Sequence, residues 1–543
     1  MSRLPDLHDG SGVTVGILSD SFDTATTFDR DGNRDTAATD IAAGLLPADL
    51  AILDDHAGGS DEGRAMAQIV HRTAPGASIL FDTAAGGQAV FAQHILDLAA
   101  AGAKVIVDDV GYAAEPDYQD GVVAQAIERV TAQGVAYVSA AGNNGAAGYE
   151  GAFRAGGHFR WNGIRYTAQS FSTGGGPLAD TLLPISGQAG QVATIQLAWS
   201  QPAASASPGR GATGDLDLFL TDARGNVVDR IAAAHDNVGR DPVEVLDLHL
   251  PETGTFDLRV GLRDGTEAPG DLRIVAISDG RPLSIGAVSS ATGNATLIGH
   301  KGAPGDIAVG AARSAEASSG GAAFPVSEPF SSAGPDMRLF DDGGDPLPSP
   351  AVGGVSVSGS DGVPTSFFGR GGRVDADGDP LFFGTSAAAP QVAAVAALLL
   401  QQDPLLTPAE VRRTLQDTAL PTVDSSGAWD PQVGGSGLVQ AGAALDEVAR
   451  MAAFAVTEAV PERAGLAGAG RGRQHGAAAD AAGALAAALR GGPVHGGAAA
   501  IHAGATFREM AAAGLSVTHP PYGHPDAFDH PSLVFRHHQP FAL

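Results

Sequence analysis

The chain has no cysteine among its 543 residues, which excludes disulfides and thiolate-bound metals and leaves the redox compartment open. Basic residues are scarce: 32 Lys and Arg stand against 61 Asp and Glu, a formal net charge of −29. Neutralising phosphates needs clustered Lys and Arg, so neither a nucleic-acid partner nor an anionic membrane surface is expected. Long hydrophobic runs are missing too. No apolar stretch reaches the roughly 18–20 residues that a membrane helix needs. The segment Met1 to Gly12 is short and polar and lacks the basic-then-apolar order of an export signal. Aromatic residues make up only 6% of the chain.

What is abundant is glycine, at 75 residues, and proline, at 33, so the protein is rich in loops. With 44% hydrophobic residues over this length it can bury a large core, and more than one domain is expected. The most informative stretch is Gly384-Thr385-Ser386-Ala387-Ala388-Ala389-Pro390, which follows Phe382-Phe383 and opens an Ala/Val/Leu run from Gln391 to Leu400. Ser386 thus stands where a loop becomes a buried helix. Free N–H groups and the positive dipole end at such a point suit an oxyanion beside a nucleophile. Taken alone, Gly-Thr-Ser reads as a Thr/Ser cap on a core helix, with Gly384 closing a turn.

Upstream, Gly12 to Ser21 is a short apolar run that ends in polar residues, a central parallel strand with Asp20 at its carboxyl end. Ligand and catalytic groups of parallel sheets gather at such ends. From Gly58 to Val70, Ser60 or Asp61 is positioned to cap a helix whose Ala65, Met66, Ile69 and Val70 face the core, with Glu62 in the first turn. Lys104 to Tyr112 is a strand closing on Asp108-Asp109-Val110-Gly111, and two acids at a buried strand end are costly unless bonded. Gly121 to Gln133 is a helix, and Val135 to Ala140 a strand leading into Ala141-Gly142-Asn143-Asn144-Gly145.

Together these motifs resemble the subtilase superfamily. Gly-Thr-Ser-Ala-x-x-Pro before an apolar helix is similar to the nucleophile signature of subtilisin-like serine peptidases. Asp20 matches their strand-end aspartate and Asn143 their oxyanion-hole asparagine. Where subtilisins have His-Gly opening a helix, this chain has Glu62-Gly63, which resembles the base of the sedolisin branch. The sedolisin Asp one turn further on is here Met66, so the match to that branch is partial. His56 and His71 are nearby substitutes, but neither precedes a glycine at a helix start. The resemblance implies a serine endopeptidase acting through an acyl-enzyme. Ser386 would be the nucleophile, a Glu62/Asp20 carboxylate pair the base, with Asp109 as the competing partner, and Asn143 the oxyanion donor. Asp109 and Gly111 would bind substrate at the strand end that lines the primary specificity pocket.

The fold implied is α/β, a subtilisin-like parallel sheet with flanking helices, interrupted by an antiparallel β-sandwich. The sandwich is expected from alternating segments such as Val192 to Trp199, Val243 to Leu250 and Leu272 to Ile277, separated by turn signals that include residues 222–226. The expected division is 1–148 and 285–450 for the two parts of the peptidase domain, 149–284 for the insert, and 451–543 for a disordered Ala/Gly/His-rich tail. No metal takes part in the expected chemistry. Structural calcium is an expectation at two carboxylate-rich loops, Asp29 to Asp35 and Asp375 to Asp379. The expected partners are peptides or proteins, met by a secreted monomer whose export signal lies upstream of this chain. Two other readings remain open at this point. One is a peptide-binding pseudopeptidase that lost its histidine. The other is a cytoplasmic serine hydrolase acting on a different substrate class.

Overall fold

In a computed structural model of the full chain, residues 8–173, 180–221, 225–250, 252–278, 283–313 and 324–458 are described. Part of the turn expected at 222–226, and the tail beyond residue 458, lie outside the described residues. Within the described part, residues 441–458 form a helix that continues past the expected tail boundary at 451.

A parallel sheet organises the first layer. Its strands are β1 (Thr14–Ser19), β2 (Ser78–Thr83), β3 (Val105–Asp108), β4 (Ala136–Ala140) and β5 (Asp306–Arg313). The spatial order is β5-β4-β3-β1-β2, with β6 (Val357–Ser360) paired parallel to β5. Short strands close the two edges, Val326–Ser327 beyond β5 and Ala51–Ile52 beyond β2. Val105, Ile106, Val107 and Asp108 are all buried. A strand covered on both faces reads as a continuous apolar run. That is why these strands show no alternation, and why the expected strand from Lys104 to Tyr112 stops paired structure at Asp108.

Helix α1 (Glu62–Thr73) and helix α4 (Thr385–Gln402) lie on one face, and α2 (Gln88–Ala100) and α3 (Val122–Ala132) pack on the other. In α4 every residue from Thr385 to Leu400 except Gln391 is buried. A helix apolar all round belongs in the middle of a core. None of the helices among the described residues is long and apolar enough to cross a membrane.

Between β4 and β5 the chain builds two antiparallel sheets. One has the order Val243–His249, Val192–Trp199, Asp271–Ser278, Gly148–Ala152; the other centres on Gly254–Arg263. Trp199, Leu218, Leu258 and Ile274 fill a shared apolar core between them. The architecture is therefore a parallel α/β sheet interrupted by an antiparallel sandwich. Arg273, buried in a sandwich strand, fastens the insert to the α/β part, donating to Asp336 Oδ1 at 3.1 Å and to the Leu297 carbonyl at 3.1 Å.

The two carboxylate-rich loops are turns of one design. Asp29 Oδ1 accepts from the Asn33 amide at 2.8 Å while the Asp29 amide donates to the Asn33 carbonyl at 2.9 Å. Asp375 and Asp379 repeat both bonds at 2.9 and 3.0 Å. Gly32 and Gly378 supply the left-handed residue that each turn requires, with φ of 84° and 90°. The same build recurs at Asp341–Asp345 and Asp424–Ala428. In all four the first Asp spends an oxygen on backbone N–H groups.

Arg64 on α1 is fully buried and carries the most crowded ion network near the sheet. It pairs with Asp35, donates to Asp40 at 2.5 Å and to the Phe22 carbonyl at 3.0 Å, and stacks 3.8 Å from the Phe367 ring centroid. Removing one partner of a buried ion network leaves the other charges uncompensated. Arg64→Met should therefore destabilise the fold by about 3–5 kcal/mol, read as a lowered urea midpoint.

Candidate active site

The site grows from the end of β1. Asp20, the first residue past that strand, accepts backbone N–H groups from Ser21 at 2.5 Å, Ser60 at 2.5 Å and Glu62 at 3.0 Å, and the Ser60 hydroxyl at 2.6 Å. Its carboxylate thus caps the N-terminus of α1 from another element, doing what a local cap residue does elsewhere. Neither local candidate caps α1. Ser60 points to Asp20, and Asp61 sits at φ 61° with its Oδ1 accepting from the Ser21 hydroxyl and the Thr24 and Ala25 amides. Glycine is required twice in this junction. A Cβ on Gly59 would lie 2.1 Å from Ser21 Oγ, and one on Gly63 2.3 Å from the Phe81 ring.

This packing buries Glu62 at 3% exposure, beneath the strand ends. Burial pushes its carboxyl well above the usual range; the charges of Asp109 and then Asp20 add to that, as does a side-chain hydrogen bond with Asp109, while the Ser386 hydroxyl opposes it. Asp109 follows the end of β3 and is buried at 4%. Burial, then the Asp20 charge, raises it to about 7, while contacts with Ser19 and Glu62 pull the other way. Two carboxyl groups in contact away from water hold a proton between them, since both cannot ionise cheaply. Glu62 Oε1, Asp109 Oδ1 and Ser386 Oγ are all buried, and none makes a well-formed hydrogen bond to an ordinary donor or acceptor. The Ser386 hydroxyl is nonetheless close enough to favour the ionised form of Glu62.

The expected pairing of Glu62 with the Asp20 carboxylate takes a different form. Asp20 meets Glu62 through the latter's backbone N–H, and of the two neighbouring acids Asp109 acts more strongly than Asp20 on the Glu62 carboxyl. The reason is steric and electrostatic: two backbone amides and a hydroxyl from the α1 approach, with the Ser21 amide, already engage the Asp20 oxygens.

Ser386 is the second residue of α4, entered through Gly384 at φ 117°. Asn143, just past β4, has its Oδ1 held by the Thr385 amide and hydroxyl, both at 3.0 Å. With the oxygen so fixed, Nδ2 lies on the Gly384 side, 3.1 Å from where a Cβ on that glycine would be. The structure therefore brings Asp20, Glu62, Asp109, Asn143 and Ser386 to one edge of the sheet, and Gly111 follows two residues beyond Asp109. His56 is exposed, and His71 lies at the far end of α1.

One contributor escaped the sequence reading. Asp361, just past β6, accepts the Gly384 amide at 2.7 Å and so anchors the loop before Ser386. Burial and the nearby Glu328 raise it to about 8. Its place after the strand run Val357 to Ser360 was the available signal. For metals, Asp54, Asp82 and His94 offer ligand atoms within 4.8 Å of one another, around the end of β2.

Residues 272–437 match the subtilase family model, a span holding β5, β6 and the Ser386 helix. It covers less than a third of the chain and leaves out Asp20, Glu62, Asp109 and Asn143. No curated protein sequence matches the chain. Among solved structures, the Clostridium perfringens CspB protease is 14% identical at a TM-score of 0.45, over 81% of this chain and 96% of that one. Fervidolysin from Fervidobacterium pennivorans, a keratinolytic enzyme related to subtilisin, is 16% identical at 0.35, over 81% of this chain and 43% of its own. The type VII secretion protease MycP1 is 15% identical at 0.32, over 81% and 84%.

The buried acids around this site make the stability of the fold depend on pH. Asp109 and Asp361 have folded values of about 7 and about 8, above the roughly 3.9 of an unfolded aspartate. Each therefore keeps a proton in the folded state that the unfolded chain has released. Their stability contribution is full below about pH 4 and is lost as pH rises through about 7 to 8. The melting temperature should fall over that window, and Asp361→Asn, which retains an acceptor for the Gly384 amide, should flatten part of the fall.

Proposed function

We propose that the protein is a serine endopeptidase that hydrolyses peptide bonds through an acyl-enzyme on Ser386, with a Glu62–Asp109 carboxyl pair as base. The observation that carries this reading is the burial of the Ser386 hydroxyl, at the N-terminus of a buried helix, beside the buried Glu62 carboxyl, which burial pushes well above the usual range. A carboxylate of ordinary pKa, near 4.3, is too weak a base towards a hydroxyl. Burial and the second acid remove that obstacle.

Ser386 Oγ attacks the scissile carbonyl carbon, and its proton passes to Glu62. Asp109 hydrogen-bonds the other side of the pair and balances the change in charge, as the third group of a triad does. The Asn143 amide and the Ser386 N–H donate to the developing oxyanion, with the α4 dipole in support; such a donor contributes about 3–4 kcal/mol. Glu62 then returns the proton to the leaving amine. Water follows the same route in reverse to release the acid. Asp20 acts through Glu62, by holding the start of α1. The substrate is a peptide or protein in this reading.

A fluorophosphonate should label the wild type at Ser386 and fail to label Ser386→Ala, which should also lose peptide turnover. Labelling without turnover of any peptide would favour a hydrolase of another substrate class, and neither would favour a pseudopeptidase. A bell-shaped pH profile is expected with its optimum below neutrality, since ionising the second acid of the pair ends the shared-proton state. Glu62→Gln should abolish turnover, Asp109→Asn should shift the alkaline limb, and Asp20→Asn should lower kcat and also move the alkaline limb to lower pH, because it removes a negative charge that raises both acids. A profile centred at pH 8 with Glu62→Gln active would identify some other base.

A further inference from the structure

Lys301 is an unexplained cation beside this site. It lies in the loop before β5 and is 3% exposed. Its ammonium donates to the Ala140 carbonyl at 2.7 Å, at the last residue of β4 and three residues before Asn143. It also lies against Gly111, two residues beyond Asp109: a Cβ there would meet Lys301 Cε at 3.0 Å and Nζ at 3.6 Å. The ammonium is thus wedged between the carboxyl ends of β3 and β4, the two strands that supply Asp109 and Asn143.

A buried ammonium ordinarily has a carboxylate partner. Among the described residues, Lys301 Nζ makes no ion pair with a carboxylate within 4.0 Å, and Ala140 is its one hydrogen-bond acceptor. An ammonium has three N–H donors, so two are left without a protein acceptor. The nearby acids face other groups, although Asp108 Oδ2 and Asp306 Oδ1 are themselves buried without a hydrogen-bond partner. Asp108 accepts from the Val110 amide at 3.1 Å and faces His300 Nε2 at 3.4 Å. Asp306 accepts from the Ser139 hydroxyl at 2.6 Å and the Gly302 amide at 3.0 Å, and Glu115 holds His300 Nδ1 at 3.0 Å.

We infer that Lys301 is a specificity residue: its ammonium receives the side-chain carboxylate of a Glu or Asp next to the cleaved bond. This rests on the peptidase reading and deepens it. A substrate carboxylate completes the partner set of a buried cation, and a site built around such a donor discriminates strongly against an uncharged isostere. Gly111, bare of a side chain, allows the ammonium to pack against the end of β3.

The test uses two fluorogenic peptides that differ only by Glu or Gln before the scissile bond, and the same pair as ligands of the Ser386→Ala full chain in fluorescence anisotropy. The expected results are a kcat/KM about tenfold or more higher for the Glu peptide, and tighter binding of it to Ser386→Ala. Lys301→Met should erase both preferences, and Lys301→Arg should keep them. Melting curves and fluorophosphonate labelling check that each variant is folded. Equal handling of Glu and Gln by the wild type, in turnover and in binding, overturns the inference while leaving the peptidase reading intact. Binding that prefers Glu, without turnover of either peptide, keeps the inference and overturns the peptidase reading. Neither binding nor turnover removes both.

Discussion

One carboxylate sets the geometry on which the site depends. Asp20 leaves the end of β1 and collects the backbone N–H groups of Ser60 and Glu62, so that a helix start is tied to a strand end. Four orphan amides at any helix N-terminus need acceptors, and here a tertiary partner supplies one. Because α1 starts at that point and no other, Glu62 is carried under the sheet edge into contact with Asp109 and Ser386. The glycines at 59 and 63 belong to the same constraint, since a side chain at either would push the helix off the strand.

Acid crowding follows from that arrangement. An isolated carboxylate in a dry site is expensive, so the chain places acids in contact and lets a proton stay. Glu62 and Asp109 do this beside Ser386, and Asp361 does it singly under the Gly384 loop. Where charge is retained in the interior it is matched, as Arg64 is by Asp35 and Asp40 and Arg273 by Asp336. Lys301 departs from both solutions, being buried, cationic and, among the described residues, without an ion pair within 4.0 Å.

The antiparallel insert separates β4 from β5 by more than a hundred residues of chain, yet the two strands pair in register from Asp306 against Tyr137. Arg273 shows how the insert is accommodated: a sandwich strand delivers a guanidinium to the loop carbonyl of Leu297 and to Asp336. The loop it braces runs directly to Lys301. The insert thus steadies one wall of the site from outside the parallel sheet.

Much of this was legible in the sequence. Continuous apolar runs marked the parallel strands, because buried strands need no alternation, and the Gly-Thr-Ser-Ala stretch marked Ser386 because an apolar helix must start from a loop. Asp20, Glu62, Asp109 and Asn143 could each be placed at a strand or helix end, since end positions are set by local pattern. Which acid meets which could not be read that way. Asp20 and Asp109 stand at similar strand ends, and only packing shows that backbone amides occupy the first and leave the second to Glu62. Asp361 is marked only by its place after a strand run, and Lys301 carries no local motif. Their importance lies in contacts with Gly384, Ala140 and Gly111, which are remote in sequence and become neighbours only when parallel strands bring their ends together.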